Sequence, residues 1–332
     1  MELMRNAIII GSGAHVPEKI IPNSYFNELL GEDVDTWLRE NLTITERRWC
    51  GPNESTADLC VEAAKKALDN AGISPEKIDL LIISTDTPEY ISPSTASVVQ
   101  YRLGAVNAGT FDLNSACAGF VTAIDTAAKF IKSDENYEYI LVIGAYAMSK
   151  YLNLADKKTV TLFADGAGAF VMKAEKNTSK GFMISSLHTE GVYADWMGIY
   201  AGGTHKPVTE EVIANNDHML KFVKKFPKEI NPTTWTKMIS DSCVKLGITP
   251  ADIAYFILTQ ININTIWETL DNLKADRAKA PTVMSKYGYT GSACIPIAFD
   301  EIWRAGKVKE GDIICFMGSG GGLAFANAFF RF

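Results

Sequence analysis

The chain carries the same local pattern twice, and any fold for it has to satisfy both copies. A helix-patterned run, Thr56–Ala71, leads into Gly72-Ile73-Ser74-Pro75-Glu76-Lys77-Ile78 and a buried-type strand, while a second, Thr233–Leu246, leads into Gly247-Ile248-Thr249-Pro250-Ala251-Asp252-Ile253 and the strand Ala254–Leu258. Downstream of each lies a Ser-Ala-Cys triplet, at 115–117 and 292–294, so that Pro75 to Cys117 spans 42 positions and Pro250 to Cys294 spans 44. Each triplet runs into a helix pattern and then another apolar strand, Tyr139–Gly144 in one copy and Asp312–Met317 in the other. A repeat of this length implies one supersecondary unit used twice. Two related βα halves would set two helix N-termini near a pseudo-twofold axis, which makes a natural site between the halves.

The rest of the chain fits that frame. Ala7–Gly11 and Asp79–Thr85 read as strands, and Asn23–Leu30, Asp35–Leu42 and Ser94–Leu103 read as helices. Ser55 is placed to cap Thr56–Ala71, and Gly72 stands just past its end. Leu162–Phe163 leads into Asp165-Gly166-Ala167-Gly168-Ala169 and a strand, Phe170–Lys173. That run lacks the GxGxxG spacing and enters a strand where a dinucleotide fingerprint would open a helix. Strands alternating with helices imply sheets covered on both faces.

Composition narrows the function classes. The chain has 332 residues, 47% hydrophobic and 21% charged, as in an ordinary globular enzyme with room for two packed halves. A net charge of −7 argues against general nucleic-acid binding. The longest apolar runs are strand-sized, and the N-terminal MELMRNAIIIGSG lacks the shape of a signal peptide. The six cysteines (50, 60, 117, 243, 294, 315) show no metal-type spacing and read as free thiols of a cytoplasmic protein. No metal and no redox cofactor is expected.

The stretch with the most chemistry is Asp112-Leu113-Asn114-Ser115-Ala116-Cys117-Ala118-Gly119-Phe120. It leaves a strand, passes through small residues and enters a helix pattern over Phe120–Ile131. A cysteine at a helix N-terminus is placed where backbone N–H groups and the helix dipole favour a thiolate. Small neighbours let a substrate approach. A buried structural cysteine is the plainer reading of the same residue.

Taken together, Ser115-Ala116-Cys117-Ala118-Gly119-Phe120, Asp165-Gly166-Ala167-Gly168-Ala169, Tyr287-Gly288 before Thr290 with Ile295-Pro296, and Gly320-Gly321-Gly322 near Arg331-Phe332 give the chain a resemblance to the thiolase superfamily. Within it, the chain resembles the β-ketoacyl-acyl-carrier-protein synthase III group, nearly end to end. The resemblance implies an α/β fold of five layers, αβαβα, divided here as residues 1–178 and 179–332, and usually a homodimer. It implies that Cys117 takes an acyl group from a CoA or acyl-carrier-protein thioester, with the N–H groups of Cys117 and Gly321 as the oxyanion donors. CoA or carrier protein would thus be a substrate rather than a cofactor.

The same resemblance shows where the chain departs from the group. Condensing members present Pro-His-Gln-Ala-Asn where this chain has Leu258-Thr259-Gln260-Ile261-Asn262, so Thr259 stands at the histidine position and Asn262 closes the motif. They present Gly-Asn where this chain has Gly288-Tyr289, so Tyr289 stands at the asparagine position. Thr259 and Tyr289 can each donate one hydrogen bond, but neither titrates near neutrality as imidazole does. Ordinary malonyl condensation therefore lacks its usual groups.

At the substrate end, Trp37 matches the tryptophan that stacks on the CoA adenine. The two arginine positions fall at Asn41 and Asn264, with Arg39 and Lys157 as candidate replacements. Ser92, beside Ile91, falls at the pocket residue that crosses the dimer. His205 lies in a loop aligned with the tunnel border, His15 and His188 read as strand-edge positions, and His218 reads as part of a polar helix start. Lys221, with Lys224, Lys225 and Lys228, forms a local basic cluster that reads either as a docking face for an acidic carrier protein or as a plain solvated helix face. The expected function is acyl transfer through Cys117 to an acceptor, in fatty-acid, polyketide or related acyl metabolism. The alternatives are a low-activity or non-condensing partner subunit of a heteromeric ketosynthase, and an acyl-thioester-binding protein.

Overall fold

The computed structural model describes residues 5–332; Met1–Met4, part of the N-terminal run read above, lie outside the described residues. Nine strands form two principal sheets. The first contains β1 (Arg5–His15), β2 (Leu80–Ser84), β3 (Gly109–Leu113), β4 (Tyr139–Ala147) and β5 (Asp165–Lys176), in the order β1-β5-β4-β2-β3. The second contains β6 (Gly181–Thr189), β7 (Ile253–Leu258), β8 (Ile313–Gly320) and β9 (Ala324–Arg331), in the order β7-β8-β9-β6. In the first sheet β2 runs parallel to β4, which pairs antiparallel with β5, which pairs antiparallel with β1. In the second, β7 runs parallel to β8, which pairs antiparallel with β9, which pairs antiparallel with β6. The sequence repeat is thus a repeat of topology, with β3 as the one added edge strand of the first sheet.

Helices fill three layers around these sheets. α1 (Thr56–Ala71) and α2 (Thr95–Leu103) cover the outer face of the first sheet, where Leu59, Ala63, Ala67, Val99, Leu141 and Val171 share one apolar cluster. α3 (Gly119–Ser133) and α6 (Cys294–Arg304) lie between the sheets. α4 (Ile230–Leu246) covers the second sheet from outside, with α5 (Ile263–Asn272) packed against α4. The result is the five-layered αβαβα arrangement.

Local chemistry explains the element ends. Ser55 and Asp58 form a reciprocal capping box at α1, and Gly72 ends the helix at φ +66°. α3 starts one residue before the apolar periodicity, at Gly119, and α4 starts three residues before it, at Ile230. The Asp165–Ala169 run is itself strand; the buried Asp165 carboxylate accepts from the N–H groups of Cys50 (2.7 Å) and Ser149 (2.8 Å) and from the Ser149 hydroxyl. No described helix is long and apolar enough to cross a membrane.

Candidate active site

Cys117 sits in a single turn, Ala116–Ala118, between β3 and α3. Ala116 adopts φ +46°, a left-handed conformation unusual for a residue with a Cβ, and this turns the chain sharply into the helix. The related turn of the second half, Gly291–Ala293, packs directly against it. Ser292 of that turn donates its hydroxyl to the carbonyls of Ala145 (2.8 Å) and Ser84 (3.1 Å), tying the second half to the central strands of the first. Gly291 has φ +51°, and a Cβ there would lie 2.4 Å from the Tyr146 ring.

The strand end β8 closes the site from the other side. A Cβ at Gly320 would lie 2.3 Å from the Cys117 nitrogen, so only glycine lets this backbone rest against the Cys117 amide. Gly321 follows immediately, with the Met197 carbonyl 3.3 Å from its own notional Cβ. Met197–Gly198 pairs with Lys221–Phe222 in a short antiparallel ribbon. Tyr193, Trp196, Phe222 and Phe226 pack into an aromatic cluster there, with Tyr193 and Trp196 centroids 4.7 Å apart.

Tyr289 is buried and anchored by its backbone to the first half. Its N–H donates to the Leu162 carbonyl and its carbonyl accepts from the Ala164 N–H, both at 2.9 Å. Its ring packs on Phe163 and Tyr146. Its hydroxyl acts on the Cys117 sulfur in the sense of a donor, favouring the thiolate. That effect is outweighed: burial, then the negative charge of Asp86, pushes the Cys117 thiol well above its ordinary range. Dehydration of the sulfur outweighs the Tyr289 hydroxyl and the backbone hydrogen bond at Cys117, which act in the opposite sense.

Thr259 is buried at the end of β7, and its hydroxyl accepts from the Ser319 N–H at 2.9 Å. Gln260 next to it is buried, donating to the Pro281 carbonyl (3.0 Å) and accepting from the Val283 N–H (2.7 Å). Asn262 caps α5, its side chain accepting from the Asn264 N–H at 3.0 Å. Asn262 thus serves the helix. Asn264 donates to the Asn41 carbonyl at 2.9 Å, and Asn41 donates to the Trp37 carbonyl at 3.0 Å. The structure therefore brings Trp37, Asn41 and Asn264 into one run, with Trp37 55% exposed. Arg39 is paired with Asp35 and Lys157 with Glu32, each at 2.7 Å.

Other sequence-selected residues lie apart from the sulfur. Ser92 is exposed on a loop with Tyr90 and Ile91, and His205 is exposed in an irregular loop. His15 pairs with Glu54 at 3.8 Å, and His188 stacks on Phe325 beside Glu190. His218 lies in a turn after a short helix, Glu210–Ala214, and not at a helix start. The Lys221 segment is the ribbon just described and not a helix face, because Lys221 binds Asp217 and Phe222 is drawn into the aromatic cluster. Lys224, Lys225 and Lys228 are exposed.

One group that acts on Cys117 was not evident from sequence. Asp86 follows β2, in a loop fixed by the Thr85 N–H on the Leu113 carbonyl (3.2 Å) and the Ala147 N–H on the Thr87 hydroxyl (2.9 Å). Its Oδ1 is buried without a hydrogen-bond partner. Burial raises its pKa to about 7. Its only sequence signal is a carboxylate directly after a wholly apolar strand. Among the described residues no cluster of histidines, cysteines and carboxylates could hold a metal ion.

Comparison with known proteins agrees with this geometry. Residues 111–191 match the family model for 3-oxoacyl-[acyl-carrier-protein] synthase III, and residues 243–332 match the model for its C-terminal part. A β-ketoacyl-[acyl-carrier-protein] synthase III of Caldanaerobacter subterraneus subsp. tengcongensis is 35% identical over 324 residues, 96% of each chain. The chain belongs to the β-ketoacyl-acyl-carrier-protein synthase III family. The Clostridium acetobutylicum synthase III is 36% identical over 98% of each chain. The crystal structure of the Aquifex aeolicus synthase III superposes with a TM-score of 0.88 at 30% identity, covering 98% of this chain and all of that one. As a synthase III-type protein, the chain is an acyl-transferring enzyme on a thiolase fold.

Proposed function

We propose that this enzyme takes an acyl group from acyl-CoA or an acyl-carrier-protein thioester onto Cys117 and passes it to an acceptor other than the usual malonyl carbon. The observation that carries the reading is the cradle around Cys117: a nucleophile turn between strand and helix, with the glycine end of β8 pressed on its amide. In the first step the Cys117 sulfur attacks the thioester carbonyl and the donor thiol leaves. The N–H groups of Cys117 and Gly321 are the donors assigned to the tetrahedral oxyanion. Tyr289 steadies the sulfur as it becomes anionic.

The acceptor argument rests on Thr259 and Tyr289. Decarboxylative condensation needs preorganised donors for a developing enolate. Here the Thr259 hydroxyl faces Ser319, and Tyr289 faces Cys117. Trp37, Arg39, Lys157 and Asn264 are assigned to the CoA end, Ser92 and His205 to the acyl tunnel, and Lys221 with its neighbours to a carrier protein. The exposed apolar side chains of Tyr90, Ile91 and Tyr101 suit a homodimer face. The reading also places the protein in the cytoplasm and divides its chemistry between residues 1–178 and 179–332.

The test is intact-protein mass spectrometry after incubation with acyl-CoA and acyl-carrier-protein donors, beside Cys117→Ala. An acyl adduct on wild type alone is expected; no adduct from any donor would overturn the reading. The missing donors also favour a second reading, a partner subunit that shapes another synthase's tunnel. Co-purification with that synthase, together with no adduct on Cys117, would establish it.

A further inference from the structure

Three features of the site leave a proton unaccounted for. The thiol is held in its protonated form by burial, so the thiolate released when an acyl group departs must be reprotonated. No histidine acts on it: His15, His188, His205 and His218 all lie elsewhere, and the residue at the histidine position is Thr259. Meanwhile Asp86 keeps a buried oxygen with no partner, in a loop held rigidly at the C-terminal ends of β2 and β3, where the Cys117 turn also begins.

We propose that Asp86 is the acid–base residue of the transfer step, and that the acceptor is a neutral N–H or O–H nucleophile. This rests on the loading of Cys117 proposed above. The acceptor's nitrogen or oxygen attacks the acyl-Cys117 carbonyl, and its N–H or O–H proton passes to the Asp86 carboxylate. A C–N or C–O bond forms and the C–S bond breaks. The electron pair of that bond leaves on Cys117, and Asp86 returns the proton to the sulfur. The atoms balance with no further reactant: acyl thioester and H–X become acyl–X and thiol.

The surroundings favour this acceptor over an enolate. The charge of Asp86 acts on Cys117 just before α3, on Tyr146 of β4 and on Tyr151 just after it, and none of these is a cation. An ionised carboxylate in that setting repels a developing enolate and attracts a nucleophile that is losing a proton. A carboxyl that titrates near neutrality is suited to both taking and returning a proton. Among the described residues no lysine or arginine pairs with it, and Lys150, next to Tyr151, is bound to the Gly51 carbonyl at 2.7 Å.

The experiment separates loading from transfer. Wild type, Asp86→Asn and Asp86→Glu are each loaded to completion with excess acetyl-CoA, freed of donor, and chased with hydroxylamine, a small neutral N–H nucleophile. Loss of the acetyl mass is followed, with the same acyl-protein unfolded in urea as the uncatalysed reference. The expected result is a chase about 10²–10⁴-fold slower in Asp86→Asn, with partial recovery in Asp86→Glu. Relative to the reference, the wild-type rate should rise with pH through neutrality, and Asp86→Asn should lack that rise. An unchanged chase in a folded Asp86→Asn overturns the proposal, as does a defect confined to loading. Failure of wild type itself to load overturns the underlying acyl-transfer reading and this one with it.

Discussion

The Ser319 N–H donates to the Thr259 hydroxyl at 2.9 Å, so a residue placed for chemistry by its position in the motif is engaged in joining β7 to the end of β8. Thr259→Val keeps the shape and removes the acceptor. Leaving a buried N–H unpaired costs about 1–3 kcal/mol. Urea denaturation should show that loss, and the rate of acyl loading should change little. A collapse of loading with unaltered stability would instead make Thr259 a group that touches the substrate.

Tyr289→Phe removes the donor that favours the thiolate. Hydrogen bonds to charged groups contribute about 1.5–3 kcal/mol, or roughly ten- to a hundredfold in rate. Because Tyr289 lowers the Cys117 pKa, its loss moves the thiol further up. Alkylation of Cys117 by iodoacetamide, measured against pH, should therefore slow in the variant, with its rise displaced to more alkaline pH. A displacement to lower pH would contradict the assigned direction.

Gly320→Ala sets a Cβ 2.3 Å from the Cys117 nitrogen. Either the Cys117 turn or the strand end has to move, at a cost of about 1–3 kcal/mol for overpacking. Acyl loading should fall to background even in the fraction that folds. Gly203→Ala, with open space around the added Cβ, should load like wild type.

If Trp37 stacks on the adenine, Trp37→Ala should raise the KM for acyl-CoA about five- to a hundredfold, in keeping with about 1–3 kcal/mol per stacked base. The same variant should use an acyl-pantetheine thioester, which lacks adenine, as well as wild type does. An equal loss with both donors would remove Trp37 from the CoA site.

The exposed lysines offer a test of carrier docking. Lys225→Glu with Lys228→Glu should weaken loading from acyl-carrier protein severalfold and leave loading from acyl-CoA unchanged. The gap should narrow as salt is added, since exposed charges are screened. Lys221 is a poorer choice, because it is already bound to Asp217.

How much of this was legible follows from the physics of each signal. The two copies of helix, Gly-Ile-x-Pro turn and Ser-Ala-Cys triplet could be read because each is local and each recurs. Cys117 could be read because a strand, small residues and a helix follow one another without interruption. β6 could not, since its side chains pass from buried at Gly181 to exposed at Thr189 and give no single period. The Lys221 segment offers a helix face as one reading because its lysines recur at helical spacing, whereas pairing with Met197–Gly198 decides the conformation of Lys221–Phe222. Asp86 lies 31 positions from Cys117, and only the parallel pairing of β2 with β3 brings them together.

The contact between the Ala116–Ala118 turn and the second half also bears on synthesis. A ribosome that has released only the first sheet has made Cys117, but neither Tyr289 nor the glycine end of β8. Until those arrive the cysteine lacks both the strand end that rests on its amide and the hydroxyl that acts on its sulfur. On the function proposed above, the chain withholds its thioester chemistry until its last strands are in place, and a truncated product remains chemically silent among the cell's acyl thioesters.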